Sequence, residues 1–187
     1  AFRLKSSFTM SSLLEAIAAA ETSGSLLPSS ARNVRAMLSR QSSPLAEEVI
    51  AELVSLGRWD EINNRFFRTL AFGTGGLRGK TIGEVVTRAE AGPGRPDGRP
   101  EHACVGTNAM NEYNIARATR GLAQYVRDWH LRQGKSGRPA IAISHDTRFF
   151  SREFAELAAR VMTDLGCDAL LFEGPRSTPE LSFAVRH

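Results

Sequence analysis

The stretch Leu70-Ala71-Phe72-Gly73-Thr74-Gly75-Gly76-Leu77-Arg78-Gly79-Lys80 concentrates the residue types from which an anion site is built. Four glycines within seven residues let the backbone turn sharply and approach a ligand closely, because glycine tolerates positive φ and has no side chain. Thr74 adds a hydroxyl, Arg78 a guanidinium and Lys80 an ammonium. Exposed backbone N–H groups beside an arginine fork suit a phosphate or a carboxylate. The same residues also describe a glycine-rich turn bearing solvated charges, and spacing alone leaves both readings open. The pattern Gly73-x-Gly75-x-x-x-Gly79 is one residue off the dinucleotide fingerprint, and no buried strand runs directly into it. The Walker pattern fails as well, since Lys80 and Thr81 lack the upstream Gly-x4-Gly spacing.

Ser144-His145-Asp146 holds the three residue types of a hydrolase triad in a row. Contiguous residues do not converge side chain to side chain as a triad requires. The reading adopted is structural: a strand ends at Ser144, and Asp146 and Arg148 brace the strand-to-helix turn through hydrogen bonds and an ion pair. His102, His130 and His187 have no metal-ligand pattern around them. Cys104 and Cys167 lack metal spacing and fit a reducing compartment.

Around these residues the apolar periodicity predicts four helices ahead of the glycine-rich stretch. The first covers 11–22, with Ser12 as cap and Glu15 three residues on. The second runs from Ser30 to about Gln41, with Val34, Met37 and Leu38 on one face. Pro44 opens the third, through Val49, Ile50, Leu53, Val54 and Leu56, and Gly57 ends it. Asp60 begins the fourth, carrying Ile62, Phe66, Phe67 and Leu70. The β-branched run Thr81 to Thr87 suggests a strand, and the Gly- and Pro-rich stretch Ala91 to Pro100 an exposed loop.

Asn111 or Asn114 then caps a long helix to about Gln133, with Ile115, Ala118, Leu122, Val126 and Trp129 at helical spacing and Trp129 read as core. Ala140-Ile141-Ala142-Ile143-Ser144 reads as a buried parallel strand. Ser151 is expected to cap a helix carrying Leu157, Ala158, Val161 and Leu165 inward, which Gly166 stops. Ala169 to Phe172 gives the next strand, and Thr178-Pro179 a last helix. Strand, helix, strand, helix at this spacing argues a right-handed βαβ crossover in a parallel sheet, hence an α/β fold with a helical N-terminal extension.

A chain of 187 residues suffices for one α/β domain plus such an extension. The net charge of +4 comes from 21 arginines against 3 lysines, scattered singly, so no nucleic-acid-binding tail is read from it. Arg3, Lys5 and the apolar stretch from Leu13 imitate a secretory leader, but Glu15 interrupts a core that is too short. No run approaches the length that spans a membrane, so neither a nucleic-acid nor a membrane partner is expected. Met10 offers a native start downstream of residues 1–9, and the C-terminal residues stop inside a helical pattern, so a fragment is expected.

The order of motifs is more specific than any one of them. Phe72-Gly73-Thr74-Gly75-Gly76-Leu77-Arg78-Gly79 is followed by Gly106-Thr107-Asn108-Ala109-Met110-Asn111 and Ala118-Thr119-Arg120-Gly121-Leu122-Ala123. Ser144-His145-Asp146-Thr147-Arg148, Ser151 and Phe154-Ala155 come next, then Ser177-Thr178-Pro179-Glu180-Leu181-Ser182-Phe183-Ala184-Val185-Arg186. Over about residues 45–187 this set resembles the first domain of the α-D-phosphohexomutases, in particular their phosphoglucomutase/phosphomannomutase branch.

The resemblance implies an α/β first domain of a four-domain cytoplasmic enzyme that uses Mg²⁺ and an active-site phosphoserine. Such an enzyme interconverts hexose 1- and 6-phosphates through a hexose 1,6-bisphosphate that reorients between two phosphoryl transfers. It implies further that Arg78 is the catalytic side chain of this segment, contacting the phosphoserine or the transferring phosphate. Thr74, Gly75, Gly76 and Arg78 would form the phosphate-binding loop. Residues 1–69 would be the helical lead-in and 70–187 domain I. The family's Ser-His-Asn-Pro loop with its phosphorylated serine, the Mg²⁺ ligands and domains II–IV are expected downstream, leaving this segment inactive alone. Ala91 to Pro100 lengthens a connection that is shorter in many relatives and reads as a surface insertion. A free-standing, non-catalytic phosphate-binding or regulatory α/β module is the alternative reading of the same loop.

Overall fold

A computed structural model describes residues 8–39, 43–73 and 76–186, in two compact units, Ala1–Met110 and Asn111–His187. The division falls within the stretch 70–187. The first unit begins with four helices: α1 (Met10–Thr22), α2 (Pro28–Ser39), α3 (Pro44–Ser55) and α4 (Trp59–Phe66). Their apolar stripes meet in a common core of Leu13, Ile17, Val34, Leu38, Ile50, Leu53, Ile62 and Phe66, all buried.

The helix ends depart from expectation in detail. Thr9, not Ser12, caps α1; Ser12 sits three residues on and closes a reciprocal capping box with it. Glu15 instead accepts a hydrogen bond from the Ser11 hydroxyl at 3.1 Å. Ser43 caps α3, whose Pro44 stands in the first turn. Leu56 lies just past the end of α3, where the helical face no longer continues, and is 57% exposed. Residues 40–42, which the second expected helix reached, lie outside the described residues.

After α4 come two short strands, β1 (Phe72–Gly73) and β2 (Gly76–Leu77), paired antiparallel with Phe72 opposite Leu77 and Gly73 opposite Gly76. Thr81 to Thr87 is irregular rather than a strand. Backbone groups of Glu84, Val85 and Thr87 are taken by a buried ion cluster instead of a neighbouring strand. Glu61 Oε1 accepts the Glu84 N–H at 3.1 Å, while the Val85 carbonyl accepts from Arg65 Nη2. Thr87 caps the single-turn helix α5 (Arg88–Ala91) in a capping box with Glu90. The stretch beyond it is largely exposed, with Arg99 buried near its end.

Arg65 is the hub of that cluster and only 3% exposed. Its Nε donates to Glu61 at 2.8 Å and its Nη1 to Glu90 at 2.6 Å. Glu90 also accepts from the Val105 N–H at 2.9 Å and from the Thr87 N–H and hydroxyl at 3.0 and 2.9 Å. Gly83 passes so close that a Cβ there would lie 2.2 Å from Arg65 Nη2. Burial pushes the neighbouring Cys104 thiol up to about 12, so it stays protonated.

The second unit comprises α6 (Glu112–Arg132), β3 (Ala140–Ile143), α7 (Ser151–Asp164), β4 (Asp168–Leu171) and α8 (Thr178–Ala184). β3 and β4 pair in parallel, Ala140 opposite Asp168 through Ile143 opposite Leu171, with α7 connecting them. This is the expected mixed α/β arrangement with a parallel pair. Ala123, Met162 and Cys167 form its core, packed by Ile141, Ile143, Leu165 and Ala169.

Asn111 is the cap of α6, its side chain accepting from the Asn114 N–H. The face of α6 that is buried carries Asn114, Thr119 and Ala123. Small side chains let helices approach closely, so the larger Leu122 and Trp129 stay outside. Trp129 is 43% exposed, with the Lys135 ammonium 5.0 Å from its ring centre, and is not core.

Removing one member of a buried, hydrogen-bonded ion cluster leaves the others uncompensated. Arg65→Ala is therefore expected to lower stability by about 3–5 kcal/mol in urea unfolding. Gly83→Ala, which drives a methyl into the guanidinium, should cost about 1–3 kcal/mol. An unchanged midpoint for either variant would contradict the cluster's role.

Candidate functional site

The glycine-rich segment is held at both stems by residues 104–110. On the entering side, the Leu70 N–H donates to the Thr107 carbonyl at 2.7 Å, and the Thr107 hydroxyl donates to the Arg68 carbonyl at 2.7 Å. On the leaving side, the Met110 N–H reaches the Lys80 carbonyl at 2.9 Å and the Cys104 N–H the Thr81 carbonyl at 2.8 Å. Asn108 ties the same strap to α4, its N–H donating to the Arg65 carbonyl at 2.8 Å. The hairpin is thus a short tip on a stem fixed from behind by the Gly106-Thr107-Asn108 run and, through α4, by the buried Arg65 cluster.

Of the residues the sequence singles out, Thr74 and Gly75 lie outside the described residues. Gly76 opens β2 at φ +136°, a backbone conformation an L side chain rarely adopts. Arg78 follows β2, is exposed, and has no carboxylate partner among the described residues. Lys80 differs: its ammonium lies 2.6 Å from Glu84, and that hydrogen bond raises its pKa. The two cationic groups of the segment are therefore unequal, Lys80 paired and Arg78 without a carboxylate among the described residues. Phe72, across the strand pair from Leu77, is 77% exposed.

Neither Thr107 nor Asn108 was singled out from the residues alone. They carry no charge and sit about thirty positions from the hairpin they hold, so no local periodicity marks them. The buried Arg65 cluster is equally hidden, since Glu61 and Arg65 at i, i+4 read as an exposed helical ion pair. Among the described residues, no three His, Cys, Asp or Glu side chains come together in a metal-holding group. The described residues do not fit a Mg²⁺ site.

In the second unit, the turn after β3 is braced as the sequence suggests. Arg148 Nε donates to Asp146 Oδ2 at 2.7 Å, and the Arg148 N–H donates to Asp146 Oδ1 at 3.1 Å. Ser151 does not cap α7. Its hydroxyl accepts the Asp146 N–H at 3.1 Å, and Phe150 stands at the cap position at φ +66° without a side-chain cap bond. His145 is buried, with Nδ1 3.1 Å from the Asp146 carbonyl oxygen, so Ser144, His145 and Asp146 form no relay. No helix among the described residues is long and apolar enough to cross a membrane.

Residues 101–187 match the family model described as phosphoglucomutase/phosphomannomutase, alpha/beta/alpha domain I. Curated relatives include a phosphoglucomutase of Staphylococcus haemolyticus, 34% identical over 122 residues, 65% of this chain and 17% of that protein. Another, from Staphylococcus saprophyticus, is 30% identical over 141 residues, 75% of this chain and 20% of that protein. A third, from Staphylococcus epidermidis, is 28% identical over 143 residues. The chain thus spans about a fifth of the length of these relatives. The family model begins after the glycine hairpin, whereas matches this long necessarily include it. No solved structure matches the chain.

The Arg148 side-chain hydrogen bond holds the Asp146 carboxyl at about 2, below its ordinary 3.8. A carboxylate whose folded pKa is depressed contributes stability above its unfolded pKa and loses it as pH falls through the folded one. Asp146→Asn should therefore be less stable than the parent by a constant amount above about pH 4. The gap should close between pH 4 and pH 2. A gap that persists undiminished at pH 2 in thermal melts would count against the pairing.

Proposed function

We propose that this chain, whose residues 101–187 belong to the phosphoglucomutase/phosphomannomutase family as its domain I, supplies the first-domain wall of a phosphohexomutase site. The parent enzyme interconverts hexose 1-phosphate and hexose 6-phosphate through a phosphoserine and a bisphosphorylated sugar. The segment from residue 70 is the domain I portion, and residues 1–69 are a helical lead-in. The observation that carries the reading is a guanidinium, Arg78, that meets no carboxylate among the described residues, on a glycine-rich strand pair whose stems are both clamped.

Phosphoryl transfer asks little covalent chemistry of a protein and much electrostatic placement. The transferring group spreads negative charge over its oxygens, and preorganised donors aimed at that charge lower the barrier. Arg78 provides a planar pair of donors in a fixed fork. It has no counter-carboxylate to give up among the described residues, unlike Lys80. The strap of residues 104–110 holds both stems by hydrogen bonds, so the donors would be placed before a dianion arrives. Gly76, with Thr74 and Gly75, would let backbone N–H groups approach the phosphate.

The nucleophilic serine and the sugar-reading loop would come from the parts of the parent protein that this chain does not span. Mg²⁺, held by residues of those parts, would supply charge neutralisation at the transferring phosphoryl group. The 187-residue chain alone is accordingly expected to show no mutase turnover.

In the whole parent protein, Arg78→Ala is expected to lower kcat/KM by roughly a hundredfold or more, as loss of a donor to developing charge does. Arg78→Lys should recover little of it, because a point charge replaces a two-donor fork. A coupled assay from glucose 1-phosphate reads both, and unimpaired turnover in Arg78→Ala would remove Arg78 from the mechanism.

A further inference from the structure

The hairpin stem carries a second arginine with an open fork. Arg68 lies on the entering side, its carbonyl gripped by the Thr107 hydroxyl at 2.7 Å. Its Nε donates to Asn108 Oδ1 at 3.0 Å, and its guanidinium carbon sits 4.9 Å from the centre of the Phe67 ring. Asn108 has no freedom to turn away. Its amide nitrogen donates to the Asn64 carbonyl at 3.1 Å and its backbone N–H to the Arg65 carbonyl at 2.8 Å. With the amide nitrogen engaged, Oδ1 faces Arg68 and fixes the plane of its guanidinium.

One edge of Arg68 is thus used, and its Nη groups meet no carboxylate among the described residues. Most arginines of the same unit do face one: Arg35 with Glu21, Arg58 with Asp60, Arg65 with Glu61 and Glu90, Arg88 with Glu52, Arg95 and Arg99 with Asp97. Continuing the β1–β2 register one step places Arg78 opposite Ala71, three residues along the chain from Arg68. Three residues reach at most about 10 Å along the chain, so the two backbones lie within roughly that distance plus one strand spacing of about 5 Å. Two long side chains can meet on one anion across that gap. Like charges placed this close without a counter-charge repel, and a dianion between them reverses the sign.

We propose that Arg68, its fork held open by Asn108, is a second phosphate-binding arginine of the hairpin, acting with Arg78 on one phosphate monoester. The inference rests on the reading of the hairpin as a phosphate site. Arg68 is the direct contact and Asn108 a positioning residue. Asn108 fixes the guanidinium before the ligand arrives, so binding loses less side-chain freedom.

The test is an NMR titration of the 187-residue chain at constant ionic strength, once with inorganic phosphate and once with glucose 1-phosphate, following backbone amides and arginine Nε–Hε signals. In the parent chain the Nε–Hε signals of both Arg68 and Arg78 should shift with one common dissociation constant. Arg68→Ala should weaken binding about tenfold or more, the loss expected for charge-assisted bonds. Arg68→Gln, which keeps an amide donor toward Asn108 and removes only the charge, should weaken it comparably while melting with the parent chain. Asn108→Ala leaves every charge in place, and it should weaken binding several-fold and sharpen the Arg68 Nε–Hε signal as the side chain is released. If Arg68→Gln binds like the parent while Arg78→Ala does not, the inference is overturned and the hairpin reading stands. If the parent chain shows no saturable shift, or neither arginine matters, the inference falls together with that reading.

Discussion

A guanidinium buried in a protein interior must be surrounded by its own counter-charges and acceptors, and Arg65 imposes that requirement on the whole first unit. Glu61 meets it from the same helix, one turn earlier, and Glu90 from a single-turn helix twenty-five residues downstream. The Val85 and Val105 carbonyls complete the shell. These partners are scattered over the sequence from 61 to 105, so satisfying one charge fixes the path of a long irregular stretch. Where backbone groups between 83 and 87 would otherwise seek a sheet, they find the ion cluster.

The consequence reaches the hairpin. The strap that follows Val105 is delivered to the back of the glycine-rich segment, where Thr107 and Met110 hold its two stems. Buried charge therefore sets the position of exposed charge. Lys80 pairs with its neighbour Glu84, while Arg68 and Arg78 meet no carboxylate among the described residues, on stems bonded to residues 104–110. In the proposed reading this surface receives an anionic ligand, the ordering cost being met during folding rather than at binding. Its working partners in a phosphohexomutase would lie in the larger part of the protein that the chain does not span.

The second unit follows a different rule. Its parallel strand pair packs through Ile141, Ile143 and Ala169 against Ala123, Met162 and Cys167, and ends in a turn in which Asp146, Arg148 and Ser151 bond one another. The hydroxyl of Ser151 serves that turn instead of the helix end, which leaves Phe150 in a left-handed conformation at the cap position. The family model is matched by this unit together with the ten residues before it, while the matches to curated relatives reach back across the hairpin.

Periodicity and turn chemistry were enough to read most of the elements. All four leading helices, the parallel strands and their connecting helix follow from apolar spacing and from residues such as Pro44, Gly134, Gly166 and Pro179, whose effects are local. The order of motifs was likewise legible and led to the family. Local chemistry could not decide between competing partners for one group. Thr9 rather than Ser12 caps α1 because both hydroxyls were available and only the path of the chain chose. Trp129 lies outside because α6 meets its neighbour through small side chains, a choice made between helices and invisible within one. Thr81 to Thr87 has strand-forming residues and no strand, because Glu61 and Arg65 claim its backbone from twenty residues away. Arg78 could be named from the sequence. That it meets no carboxylate among the described residues, and that its stem is bonded by Thr107 and Met110, was decided only by the tertiary structure, since each of those facts depends on contacts between segments distant along the chain.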